Sequence, residues 1–555
     1  MYQAAGAKLD ELGKSFFDLV MALEAAQVEY DIGCEDILAR HGSADSAGLK
    51  VGRRYYRTVV LPPMTENLNA KTAQLLAAFE QAGGTVLSCG EPPTRIDGSL
   101  SPAGAALASS DHSKKVQTAA LPRQLRPSGL VITRAEADGG ILFHHRRRLD
   151  DGELLFLVNT SIQAPSTGTI QSNLKGVEAW NLYTGQTEPQ PFAADGQGIQ
   201  TRFNPPPSGS LLMFLSRKPI LPSQPGAETV AVIQAGQAPE IRRLAPNVLT
   251  LDYVEVTAGG ETRQDLYFYQ ANQFAWQKNG LERDPWDSAV QFKDELISRK
   301  FAPGSGFEAC YRFQLEGVPP ANLAIVIERP DLYTITCNGQ AVTPAPEAWW
   351  LDKAFGKIQL ASVAHRGQNV VTIKASPFTM FHELEPAYVL GDFALKPDEH
   401  GFVIVPDQPL KLGADWNAQG HPFYGDGVAY REHFRVGQKT GRYAVALRGW
   451  YGSVAKVSVR GKAVGYIDAP PWECDVTKSI RPGENDVEVT VIGTLKNTLG
   501  PHHGNPPLGP ARPTNFQHAR NPGPPPGDRY STVPYGLAEP FVLKRITKAG
   551  LTAAQ

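Results

Sequence analysis

Cysteine is scarce in this chain, long apolar runs are missing, and neither sign of charge prevails. The five cysteines, Cys34, Cys89, Cys310, Cys337 and Cys474, stand far apart with no CxxC pair. That spacing argues against a zinc cage or a thioredoxin-type motif, and an odd number does not complete a disulfide framework. No apolar run approaches the roughly 20 residues that span a bilayer, and "MYQAAGAKLDELGKSFFDLV" lacks a basic region followed by an apolar one. As written, the chain is therefore expected in the cytoplasm. Lys plus Arg number 54 and Asp plus Glu 56, a formal net charge of -2, so no field favours nucleic acid or an anionic membrane as partner. A Rossmann fingerprint, an HExxH helix and a GxSxG elbow are missing too, which leaves dinucleotide, zincin and α/β-hydrolase chemistry without their signatures.

What is present is length, turns and strands. A chain of 555 residues exceeds one hydrophobic core, so about three to five domains are expected. Its 53 Gly and 45 Pro favour many turns over many long helices. From residue 8 to 130 the pattern alternates in the α/β manner: "LGKSFFDLVMALEAAQ" as a helix, "VEYDIG" as a strand, "TVVLPP" as a buried strand, "AKTAQLLAAFEQAG" as a helix, "GTVLSCG" as a strand. This reads as a doubly wound sheet or much of one, with Gly83-Gly84 as a helix C-cap. Residues 141–161, "ILFHHRRRLDDGELLFLVNTS", read as a hairpin turned at Asp-Gly. Strand alternation then sends His144 and His145 to opposite faces, away from a shared metal, and makes the arginines a solvated strand face. A small all-β unit continues to about 218, and "PILPSQPGAE" reads as a linker.

Beyond 230 the chain becomes short β segments containing a weak repeat. One copy begins at Tyr311, with an N-G turn and a G-Q-N turn, and the other at Tyr430, with an R-G turn and a G-E-N turn. Two tandem β-sandwiches account for it. The stretch "GRYAVALRGWYGSVAKVSVRGKAVGYIDAPPWECDVTKSIRPGENDVEVTVIGTLKNTLGPHH" resembles galactose-binding-like jelly rolls of large glycoside hydrolases, in particular of the α-L-rhamnosidase type. "VEYDIGCEDILARHG" through "AGGTVLS" is similar to the flavodoxin-like domain that follows the barrel in such enzymes, and "FHHRRRLDDGELLFLVNTS" to the β unit after it. The resemblance implies a multidomain, mostly β protein: a flavodoxin-like α/β domain over 1–130, a small all-β domain over 131–220, a jelly-roll sandwich over 230–398 and a galactose-binding-like sandwich over 399–548. A catalytic (β/α)8 barrel needs roughly 250 residues, more than precede the β domains, so no family carboxylate maps onto this chain. Full-length relatives of that type are expected to be secreted or periplasmic, and the sequence fits either a complete chain or a piece of a longer one.

Glycoside hydrolysis needs two carboxyl groups about 5 to 9.5 Å apart. Acids on aromatic-rich loops are Asp284 and Asp287 in "ERDPWDS", Glu383 and Glu385 in "FHELEP", Asp426 in "FYGDGVAY" and Glu473 in "PPWECD". Each also suits a turn or a surface, Asp284 and Asp426 especially. His502, His503 and His518 lie in a Pro- and Gly-rich loop able to border a pocket. If the chain hydrolyses a glycoside or a small ester or lactone, His502 and His503 with Glu473 or Asp426 are the first candidates. Sugar stacking asks only for exposed rings: Trp349 and Trp350, Trp450 and Tyr451, and Trp472, with one of each adjacent pair facing the core. A carbohydrate or small-molecule ligand is expected and no cofactor is required, although the resemblance implies that a structural Ca2+ is compatible, its ligands unnamed. The sequence leaves oligomeric state and metal ligands open.

Overall fold

The computed structural model describes residues 6–102, 112–125, 129–194, 196–222, 228–282, 293–413, 415–504, 513–517 and 523–548. Asp284, Asp287 and His518 lie outside the described residues. The chain forms two compact units, Met1–Gly226 with Ala469–Pro471, and Ala227–Asp468 with Trp472–Gln555.

In the first unit, helix Ala70–Gln81 buries Thr72, Leu75, Leu76 and Phe79, the i, i+3, i+4, i+7 stripe of an amphipathic helix. It stops where Gly83 takes φ +92° and the N–H of Gly84 donates to Phe79 O at 2.9 Å, as the paired glycines lead one to expect. A Cβ at Gly84 would stand 2.1 Å from the Phe79 ring, so that position excludes any larger residue. The helix connects parallel strands Thr58–Leu61 and Thr85–Ser88, and Ser113–Lys115 adds a third. Asn67–Leu68 and Arg95–Ile96 pair in parallel in a separate small sheet, so the described residues hold short three-stranded sheets where one doubly wound sheet was expected. "VEYDIG" is not a strand: Val28 donates its N–H to Leu23 O and packs against Leu19 and Leu23, closing helix Gly6–Ala25 instead of joining a sheet.

The charged hairpin forms, Leu142–Arg148 against Gly152–Asn159, with His144 opposite Leu157 and His145 opposite Phe156. Its turn is Asp150-Asp151 and not the expected Asp-Gly, since Gly152 is already the first residue of the strand. Its arginine face is not simply solvated. His144 and Arg146 side chains are each 5% exposed, because Gln27 and Glu29 cover them: His144 Nδ1 donates to Gln27 Oε1 at 3.0 Å and Arg146 meets Glu29 at 2.8 Å. A five-stranded and a four-stranded antiparallel sheet enclose Leu155, Leu157, Ile170, Phe203 and Met213.

The second unit contains two sandwich cores. The repeat is visible as equivalent ladders, Phe307–Leu315 with Gly367–Ala375 and Gly427–Val436 with Gly483–Ile492. Both copies turn on two residues with positive φ, Asn338-Gly339 and Arg460-Gly461, the hand that continues strand twist. The later turns match to the atom. Asn369 donates to His365 O and Gly367 O at 2.8 and 3.1 Å, and Asn485 donates to Arg481 O and Gly483 O at the same two distances. Two features depart from a purely tandem β reading. Helix Phe268–Lys278 stands ahead of the first copy within the first sandwich, burying Ala271, Phe274 and Ala275 at helical spacing. Strands Glu228–Ile233 and Glu240–Arg243, which precede the first sandwich in sequence, pair with strands of the second, while Gly401–Pro406 pairs with Phe307–Leu315 of the first. Sequence order and sheet membership therefore cross.

Glu432 faces the interior of the second sandwich on the same side of its strand as Tyr430 and Phe434. It is 1% exposed and neither carboxyl oxygen has a hydrogen-bond partner. Burial pushes its pKa up to about 7. A raised carboxyl pKa stabilises the fold below the unfolded value and loses that contribution as pH rises. Urea unfolding should accordingly show stability declining from pH 4.5 to 7 by about 3 kcal/mol from this group. The Glu432→Gln variant should lack that decline, and an unchanged slope would refute the assignment.

Candidate functional site

Helix Leu495–Leu499, capped by the Thr494 hydroxyl, delivers His502 and His503 into the second unit. Both are buried, at 3% and 4% exposure. His503 Nε2 donates to Asp252 Oδ2 at 2.7 Å, Tyr530 OH donates to Asp252 Oδ1 at 3.2 Å, and His502 Nδ1 lies 4.0 Å from the same carboxylate. His502 Nε2 donates to Asn497 O at 2.7 Å. Tyr253 and Tyr267 stand edge-on to His503, and Phe423 edge-on to His502. Burial pushes His502 down to about 4, against the opposing pull of Asp252, so it is neutral at pH 7. Lys496 Nζ donates to Pro501 O and Ser531 O, and burial lowers it to about 8.

Asp252 is the acid that sequence reading passed over. Its signal was available: in "LTLDYVEV" Asp252 follows the apolar run "NVLTL" and precedes "YV", and a charge set in such a run demands a buried partner. Glu473 and Asp426 are held elsewhere, Glu473 by Lys544 at 2.5 Å and Asp426 by the N–H of Gly427 at 2.6 Å. The backbone carbonyls of Glu383 and Glu385 accept from Tyr333 and Tyr311 hydroxyls.

An Asp-His pair has the parts of an acid-base dyad, and His503 Nδ1 has no hydrogen-bond partner. Water has little access to it, however, and rings occupy the surrounding space. Among the described residues no three His, Cys, Asp or Glu side chains converge as metal ligands.

The aromatic candidates divide as strand alternation requires. Trp349 is 50% exposed, while Trp350 turns inward against Tyr388 with ring centroids 5.2 Å apart. Tyr451 is 58% exposed, while Trp450 packs edge-on against Trp472 at 5.4 Å. Tyr466, not singled out in the sequence, is also exposed.

No family model matches the chain. In sequence it is 25% identical over 224 residues to a putative beta-glucuronidase of Formosa agariphila, covering 38% of this chain and 18% of that protein. The match thus takes in less than a fifth of that relative's length. Among solved structures, a rhamnosidase from Novosphingobium sp. PP1Y aligns with TM-score 0.45 and 16% identity over 93% of this chain and 36% of that one. Streptomyces avermitilis alpha-L-rhamnosidase complexed with L-rhamnose aligns with TM-score 0.24 and 14% identity, over 76% and 39% of the two chains. The chain is glycoside-hydrolase-like, and the described residues contain no eight-stranded parallel barrel.

Removing His503, as in His503→Ala, should cost about 1–3 kcal/mol by leaving Asp252 Oδ2 buried without its donor while Tyr530 still holds Oδ1. His502 acts with the opposite pH sign to Glu432: its lowered pKa stabilises the fold above pH 6.5 and loses that contribution as pH falls toward 4. In acid denaturation followed by circular dichroism, His502→Gln should flatten the curve by about 3 kcal/mol between those limits. A variant curve parallel to the parent's would contradict the assignment.

Proposed function

We propose that this chain is the accessory, carbohydrate-binding part of a glycoside-hydrolase-related protein, with sugar held on its β-sandwiches and cleaved elsewhere. The observation that carries the reading is the orientation of Tyr451, an exposed ring on the short strand Trp450–Tyr451, whose neighbour Trp450 turns the other way to pack against Trp472. An outward aromatic face is what a pyranose needs for stacking. Trp349 offers a second such face. A structural Ca2+ on backbone carbonyls of one sandwich remains compatible with this role. Among the described residues no helix is long and apolar enough to cross a membrane.

Affinity electrophoresis against a panel of soluble polysaccharides tests the reading. The parent chain should be retarded by at least one polymer, and Tyr451→Ala or Trp349→Ala should weaken the retardation about tenfold, near 1.4 kcal/mol. Uniform migration across the panel would sink it.

A second reading, a stand-alone hydrolase of glycosides, small esters or lactones assisted by Ca2+, is favoured by one observation, the Asp252–His503 pair with its unpartnered nitrogen. Chromogenic glycosides, esters and lactones should show no turnover by the parent chain if the accessory reading holds. Turnover that vanishes with EDTA and returns with Ca2+ would establish the hydrolase instead.

A further inference from the structure

Strand Glu240–Arg243 belongs to the sheet of the second sandwich, and strand Asn247–Leu251 belongs to the first. The link between them, Leu244–Pro246, faces a groove of about 460 Å³ whose other walls carry Asn322, Asp392 and Asp407–Leu410. That size falls within the range of small-molecule sites.

Its polar groups are prearranged. Arg243 Nη2 donates to Asp407 Oδ2 at 2.6 Å and lies 3.8 Å from Asp392 Oδ1. The guanidinium is placed over the Tyr424 ring, 6.0 Å from its centroid. The side-chain oxygen of Asn322 accepts from the backbone N–H of Asp392, which fixes the acid's position while leaving its carboxylate 64% exposed. Around Arg243 there is a deficit of partners. Its Nη1 is buried without one, as are Asn247 Oδ1 and both ring nitrogens of the fully buried His421. Asn247 holds Gly420 O at 3.0 Å, next to His421, and the His421 and Tyr424 rings are 6.3 Å apart. Asn247 and His421 do not line the groove, and buried polar atoms of this kind are ordinarily satisfied by an ordered water.

The charge count selects the ligand. Two carboxylates against one guanidinium leave the groove at -1, and the guanidinium is already paired, so an anionic ligand meets repulsion. Asp392 and Arg243 stand too far apart for a hydrogen bond to each other, and a hydroxyl seated beside the pair, off the line between them, can donate to the carboxylate while accepting from the guanidinium. Asp407 and Gln408 present further acceptors beside it, and Leu244, Pro246 and Leu410 offer apolar surface for C–H faces.

We infer that this groove binds a neutral pyranose through adjacent hydroxyl groups bridging Asp392, Asp407 and Arg243, and that it disfavours uronic acids. The inference rests on the sugar-binding reading and places a site in the groove, apart from the exposed aromatic rings. Saturation-transfer NMR and calorimetry on the full chain, with methyl glycosides of neutral hexoses and 6-deoxyhexoses and with methyl β-D-glucuronide, provide the test. At least one neutral glycoside should bind at least tenfold tighter than the glucuronide. Asp392→Ala, at an exposed side chain, should weaken it about tenfold with the melting temperature unchanged, and Asp407→Asn should weaken it too. Equal or tighter glucuronide binding would overturn the inference. If Tyr451→Ala abolishes binding while Asp392→Ala leaves it intact, the groove is refuted and sugar binding stands. If no glycoside or polysaccharide binds the parent chain, both fall.

Discussion

Asp252 sets the terms for the second unit. A carboxylate at 3% exposure is tolerated only when hydrogen-bonded, and its two partners, His503 and Tyr530, stand 251 and 278 residues further along the chain. Meeting that demand brings the loop after helix Leu495–Leu499 against the strand that opens the first sandwich. The aromatic enclosure of Tyr253, Tyr267 and Phe423 follows, because rings exclude the water that would otherwise compete for the acid. The Asp252–His503 pair thereby fastens two distant parts of the second unit.

The same economy applies to the other charged groups. Glu473 is engaged by Lys544, Asp426 closes its own turn, and Arg146 is covered by Glu29. Surfaces that remain available for a ligand are of two kinds: outward rings at Tyr451 and Trp349, and the groove in which Arg243 is aligned by Asp407 but not saturated. Ring faces recognise a pyranose loosely, through its C–H surface. Carboxylates and a guanidinium at set distances recognise the placement of its hydroxyls.

Local chemistry was legible in the residues. The Gly83-Gly84 cap, the N-G and R-G turns and the duplicated asparagine turns each depend on neighbours within a few positions, and each forms as read. The hairpin at 141–161 forms too, but turns on Asp150-Asp151 with Gly152 already in the strand. Alternation also sorted the aromatic pairs, Trp349 outward from Trp350 and Tyr451 outward from Trp450. "VEYDIG" misled because a β-rich hexapeptide says nothing about whether a sheet edge waits for it, and Val28 instead closes a helix. The pairing of His502 and His503 with Glu473 or Asp426 rested on nearness in sequence, and the folded chain supplies Asp252 in their place.

By itself, then, the sequence determined the β-rich class, the duplicated sandwich with its turns, and which face of each strand is apolar, since these follow from periods of two to four residues. Tertiary structure decided which strands share a sheet, which acid meets His503, and that Arg243, Asp392 and Asp407 border one groove. The physical reason is that strand alternation specifies a face but no partner. Partners are chosen by where the chain returns, and burial then makes each choice binding.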